Sequence, residues 1–188
     1  MRLASLLAAA ALVTAPGLAA AQTVVPVARF TGVELRGGGT INIRQAPVQR
    51  VTVVQGDAAD MGFDVDGRGR LVIRSCRGSC WGPHRLEVDI ETPDLNAIDI
   101  MGGGHIVAKG AFPAQPTISV AIHGGGDIDM RDVPAQSATA AIMGGGKIMV
   151  TAQNSLEAAI HGGGEIRYAG HPAVNSEVHG GGAVSPIH

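Results

Sequence analysis

Five residues with metal-binding side chains occupy equivalent positions in the sequence. His123, His161 and His179 each stand directly before three consecutive glycines, and Met101 and Met143 hold the same place in two further copies of the motif. Imidazole and thioether groups together suit copper, and imidazole also binds zinc or nickel. A closed ligand set would be the stronger sign of a metal site. Two interpretations therefore stay open: a transition-metal site, or side chains that only cover a surface.

The motif that carries these residues is an internal repeat. Its glycine triplets begin at Gly102, Gly124, Gly144, Gly162 and Gly180, so successive copies are 22, 20, 18 and 18 residues apart. A period of this length is typical of stacked repeats. Apolar and polar residues alternate on both sides of each triplet, which is the pattern of half-buried strands. The glycines predicted to form structural corners are Gly102, Gly103, Gly104, Gly124, Gly125, Gly126, Gly144, Gly145, Gly146, Gly162, Gly163, Gly164, Gly180, Gly181 and Gly182.

Stacking such units about 4.8 Å apart predicts a parallel β-solenoid, or β-helix, with a core of side-chain ladders. The ladder before the glycines would contain Ile100, Ile122, Ile142, Ile160 and Val178. The ladder after them would contain Ile106, Ile128, Ile148, Ile166 and Val184. Strand alternation then directs the His and Met residues outward in one column, and His105, Asp127, Lys147 and Glu165 outward in a second. The mixed charges of the second column predict pairing between neighbouring strands.

The start of the chain predicts export. Residues 1–21 have a positive start, a short Ala-rich apolar run and a small-residue cleavage site, which together are typical of a signal peptide. The run is too short to span a membrane, and no later apolar stretch is long enough to do so. The mature chain carries 13 basic and 16 acidic residues, a net charge of −3 that argues against nucleic acid as a partner. We predict one continuous domain over 22–188, with a less regular β cap at 22–99 and the repeats at 100–188.

Two cysteines, Cys76 and Cys80, lie close together in a turn. In an exported protein their spacing favours a local disulfide, whose small loop would stabilise the fold only modestly. A redox or metal role for this pair is the weaker alternative.

Signals for an enzyme are poor. His-Gly-Gly-Gly is also found in oxyanion-hole loops, but here it occurs three times at repeat spacing and without a Gly-x-Ser-x-Gly nucleophile motif. Aromatic residues make up only 3% of the chain, so few side chains could stack on sugar rings as in a polysaccharide lyase. A carbohydrate-active enzyme is therefore the least favoured interpretation.

Several segments together resemble a known family. They are the Phe30–Leu35 strand, the strand and turn at 51–56, the strands at 69–73 and 86–90, the Pro93–Leu95 element and the glycine repeats. In this order they are similar to the head GIN domain of the putative autotransporter adhesins (DUF2807), over about residues 28–185. The resemblance implies a right-handed solenoid of the bacterial envelope without an established catalytic site, and parallel crossovers generally have this hand.

The sequence thus predicts a non-catalytic, adhesin-like binding or structural module. It would be periplasmic or at the cell surface, with an unidentified envelope or surface ligand. The alternative is a periplasmic protein that binds Cu, Zn or Ni through the His/Met column. Self-association through the flat glycine corners is left open.

Overall fold

The computed structural model describes residues 22–78 and 85–187, and these residues form an all-β structure without helices. The predicted signal peptide, residues 1–21, lies outside the described residues. The thirteen strands are β1 (Thr23–Val24), β2 (Gly32–Gln45), β3 (Arg50–Gln55), β4 (Gly62–Val65), β5 (Arg70–Arg74), β6 (Glu87–Thr92), β7 (Ala97–Lys109), β8 (Gln115–Gly124), β9 (Asp127–Gly144), β10 (Lys147–Gly162), β11 (Glu165–Ala169), β12 (Ala173–Gly180) and β13 (Ala183–Pro186). They belong to one mixed sheet that does not close on itself.

The repeats pair in parallel with the glycine triplets in register. Strands β7 to β13 contain the parallel pairs β7–β8, β8–β9, β9–β10, β10–β11, β10–β12 and β11–β13. Ile122 lies opposite Ile100 on one side and Ile142 on the other, and Ile160 continues the same row. The predicted ladders are thereby confirmed. We call each repeat of this stack a rung.

Several strands are longer than the sequence pattern predicts. Strands β2 and β7 continue through their glycine triplets, where a corner between two strands was expected. Each repeat should supply two short strands, yet β9 and β10 each run from one triplet to the next. Neighbouring rungs keep hydrogen-bonding across the intervening segment, with register shifts between Val150 and Thr151 and between Ala152 and Ser155. The register shifts lie within the paired strands, so no loop separates the strand segment after one triplet from the segment before the next.

The core follows the ladders, apart from its C-terminal end. The ladder residues from Ile100 to Ile160 and from Ile106 to Ile166 are fully buried. Val178 occupies the predicted position opposite Ile160 but is 39% exposed. Among the described residues, β12 pairs only with β10, so no further strand covers this valine.

The N-terminal region contains both a rung and antiparallel additions. The triplet Gly37–Gly39 aligns with Gly102–Gly104 in the parallel β2–β7 pair, so one rung lies inside the region predicted as a cap. Strands β4 and β5 form an antiparallel hairpin, and β3 pairs antiparallel with β1 and β6. These short strands cover the end of the stack opposite β12.

Candidate functional site

The first glycine of each triplet is required by its backbone conformation and by its neighbour. At Gly144 φ is +138°, a region that L residues rarely adopt. A Cβ there would lie 2.1 Å from the carbonyl oxygen of Gly124 in the preceding rung. That oxygen accepts a hydrogen bond from the Gly145 N–H at 2.9 Å. The close approach of the two backbones therefore continues the hydrogen-bond ladder through the triplet.

The third and middle glycines differ sharply. A Cβ on Gly146 would lie 2.4 Å from the Gly126 oxygen and 2.9 Å from Cγ2 of Ile122, so the core excludes a side chain there. The middle glycines are exposed, and a Cβ on any of them would meet no atom within 4 Å. We call these the glycine strip: Gly103, Gly125, Gly145, Gly163 and Gly181. Neither φ nor packing demands glycine in the strip.

The His and Met residues form a continuous outward column beside the glycine strip. Parallel register places Met101, His123, Met143, His161 and His179 on successive rungs, and all five are exposed. This His/Met column therefore has the arrangement that the sequence predicted. Its final members are in contact, since the ring centroids of His161 and His179 lie 5.0 Å apart in an edge-on arrangement.

The side chains of this column lie on the open surface rather than in an enclosed pocket. Nε2 of His179 lies 3.0 Å from Oε1 of Glu177 on its own strand. Over residues 22–78 and 85–187, no group of three or more His, Cys, Asp or Glu side chains is placed to hold a metal ion. A metal at the column would need thioether ligands as well as imidazoles.

The second outward column carries the predicted charge pairs. Parallel register places His105, Asp127, Lys147 and Glu165 on successive rungs. Nδ1 of His105 lies 3.1 Å from Asp127, and Nζ of Lys147 lies 2.9 Å from Glu165. All four side chains are more than a third exposed, so each pair contributes about 0–1 kcal/mol. We call this set the charged column.

Sequence reasoning missed a charge cluster around Arg70. Its guanidinium contacts Glu34 and Asp66 at 3.1 Å each, and also pairs with Asp99. Glu34 is 2% exposed and has a second partner in Arg36. Glu34, Arg70 and Asp99 are far apart in the chain and form no motif, so only the juxtaposition of β2, β5 and β7 brings these three together.

The pKa values of two carboxyl groups in the cluster are shifted in opposite directions. Burial raises the pKa of Asp99 above its ordinary value, although Arg70 acts in the other direction. Hydrogen bonding from the Arg70 backbone N–H is the main cause that lowers the pKa of Asp66. The cluster is a packed ion network with its guanidinium already engaged, which favours a structural role over catalysis.

A surface depression of about 470 Å³ lies across the C-terminal rungs. Its lining includes Ser137, Ser155 and Glu157, and Glu157 is its single titratable side chain. The hydroxyl of Ser155 donates to Ser137 at 2.8 Å. The hydrogen bond of Ser155 in this lining goes to Ser137 rather than to Glu157, so the depression does not show the hydroxyl–base pair that nucleophilic catalysis needs.

The predicted disulfide extends beyond the described residues. Cys76 follows β5, whereas Cys80 lies in the segment 79–84 that the structure does not describe. The Cys76–Cys80 pairing therefore stays a prediction.

The fold and its surface define an all-β repeat protein whose exposed side chains stand in ordered columns. Residues 29–116 and 115–172 match the family model described as "Putative auto-transporter adhesin, head GIN domain" (DUF2807), and the chain belongs to this family. The predicted resemblance is confirmed. Membership indicates an exported or surface protein with a surface ligand, and it favours a role other than catalysis.

Similarity to a solved structure supports the fold. A protein from Bacteroides fragilis described as a putative adhesin is 18% identical, with a TM-score of 0.55 over 88% of this chain and 96% of that chain. A putative adhesin from Parabacteroides distasonis is 19% identical, with a TM-score of 0.45 over 89% and 96% of the two chains. No curated protein matches the chain. None of its described residues forms a helix long and apolar enough to cross a membrane.

Proposed function

We propose that the protein is a non-catalytic binding module of the bacterial envelope that contacts a surface ligand through its columns. The observation that carries this proposal is the in-register exposure of the His/Met column over five successive rungs. A rigid face that repeats about every 4.8 Å presents the same groups many times along one line. Many weak contacts of this kind can sum to strong binding without an enclosed pocket.

The same proposal includes the finer fold and the route to the envelope. The parallel rungs coil as a right-handed β-solenoid, supported by the general preference of parallel crossovers for this hand. Residues 1–21 are removed as a signal peptide, and the mature chain resides in the periplasm or at the cell surface. In that oxidising setting Cys76 pairs with Cys80, which the intact mass of the non-reduced protein would reveal.

The glycine strip offers a clean test, because its substitution should not disturb folding. We would replace Gly125, Gly145 and Gly163 together with Gln in the mature protein, which adds bulk to the strip without placing like charges on successive rungs. The control is Val48→Gln, at a residue that is 69% exposed in the loop after β2. Binding to immobilised envelope fractions should be lost in the triple variant and kept in the control.

Two results would overturn this proposal. One is equal binding by wild type and the triple variant when both show the same melting curve. The other is the release of new reducing ends from envelope polysaccharides, which would indicate a carbohydrate-active enzyme instead.

A second candidate function is transition-metal binding by the His/Met column. The contact between His161 and His179, with Met143 on the adjoining rung, supports it. Two imidazoles and a thioether form a donor set suited to copper. Calorimetric titration of the untagged mature protein with Cu(II), Ni(II) and Zn(II) should then show stoichiometric binding that His161→Ala with His179→Ala abolishes. An unchanged affinity in the double variant would eliminate this candidate.

A further inference from the structure

Strand β12 forms a free edge of the sheet in the described fold. All eight residues of β12 are exposed, and within residues 22–78 and 85–187 the strand pairs with β10 alone. Val174 and Val178 lie opposite the buried side chains of Leu156 and Ile160, yet each is 39% exposed. Backbone N–H and C=O groups along such an edge are available to another strand.

The other strand at this end of the stack, β13, is poorly suited to pairing with a further strand. Strand β13 has four residues and ends at Pro186, which has no N–H to donate to a further strand. The opposite end of the stack is covered by the antiparallel pairs of β3 with β6 and of β4 with β5. The two ends therefore differ, and copies cannot continue the stack head to tail.

The sequence of β12 is complementary to itself in an antiparallel arrangement. A twofold axis at Ser176 would place Val174 opposite Val178 of a second copy, and Asn175 opposite Glu177. The first pair joins apolar side chains that point toward the core, and the second lets an amide donate to a carboxylate. A register centred on Glu177 would instead place two carboxylates together, which is unfavourable.

We propose that two copies of this protein form a closed dimer by antiparallel pairing of their β12 strands. Pairing would cover Val174 and Val178 and would satisfy the free backbone groups of the edge. A twofold contact of this kind is self-complementary and ends with two chains. The glycine strip and its flanking columns remain exposed in both copies, so the dimer presents the proposed binding face twice.

The test begins with sedimentation velocity of the mature chain, residues 22–188, over a concentration series. We expect a monomer–dimer equilibrium that Val178→Lys abolishes, because an edge charge directed toward the core opposes strand pairing. The matched control is Val24→Lys, at an exposed valine of β1 at the far end of the stack, which should leave the dimer intact. A wild-type chain that stays monomeric at its highest soluble concentration would overturn the proposal.

Two further variants test the register. Ser176→Cys should form an intermolecular disulfide with the same position of a second copy, identified by mass spectrometry, whereas Ser119→Cys on an inner rung should not. Asn175→Asp places two carboxylates opposite each other at both symmetric contacts and should weaken the dimer without loss of folded structure. If the Ser176→Cys variant forms no intermolecular disulfide, and if Val178→Lys and Asn175→Asp leave the dimer unchanged, association would be assigned to another surface.

Discussion

Replacing Gly144 by Ala should damage the fold far more than replacing its neighbour Gly145. The two glycines are adjacent and belong to the same triplet, but only Gly144 has a positive φ and a backbone atom within reach of a new Cβ. Both substitutions add the same methyl group, so any difference in stability between the two variants comes from the surroundings of that group.

The expected magnitude follows from three contributions. An L residue at φ +138° costs about 1–3 kcal/mol of conformational strain. Relieving a 2.1 Å approach to the Gly124 oxygen requires two rungs to separate, at a cost of about 1–3 kcal/mol. The hydrogen bond from Gly145 to that oxygen is then weakened, which costs about 1 kcal/mol. We expect Gly144→Ala to lower the free energy of unfolding by roughly 3–7 kcal/mol, a large part of the stability of an ordinary domain.

Gly145→Ala should change the free energy of unfolding by no more than about 0.5 kcal/mol, as is usual for exposed positions. Urea and thermal unfolding of the mature protein, followed by circular dichroism, would measure both variants. For a domain of this size the Gly144 variant should melt roughly 10 °C lower than wild type. Equal melting temperatures for the two variants would refute the assignment of distinct roles within the triplet.

Three further predictions concern charge. Lys147→Glu places three carboxylates on successive rungs and should lower stability by about 1 kcal/mol at low salt, less at high salt; an unchanged low-salt melting curve would contradict the charged column. Arg70→Met removes a principal partner of buried Glu34 and should cost about 3 kcal/mol, whereas Arg68→Met should cost little; urea unfolding of both variants checks this. Burial raises the pKa of Asp99 in the folded protein. The free energy of unfolding of wild type should therefore fall relative to that of Asp99→Asn as the pH rises from the unfolded pKa of this group through its folded pKa. A constant difference in unfolding free energy between the two proteins across that range would argue against this prediction.

Much of the stack could be predicted because its information is local and repeated. The spacing of the triplets determines which isoleucines align, and alternation then determines which side chains point outward. The resulting rows from Ile100 to Ile160 and from Met101 to His179 follow from these two rules alone.

The remaining features depend on contacts that the sequence pattern does not encode. The partners of Arg70 come from two strands, β2 and β7, and from the turn between β4 and β5, and their pairing depends on how the N-terminal hairpins fold against β2. The exposure of Val178 depends on the absence of a further rung beside β12 among the described residues. A repeat pattern predicts the interior of a stack better than its ends, because end residues follow the same alternation as interior ones but have different neighbours.

The register shifts in β10 have a consequence for how such a chain can change in length. Successive triplets are 22, 20, 18 and 18 residues apart, yet the columns beside them stay aligned. The differences in length are taken up on the side of the rung remote from the glycines, as at Val150–Ser155. Insertions and deletions there leave the spacing of the exposed groups unchanged, so evolution can lengthen or shorten a repeat without altering what the face displays.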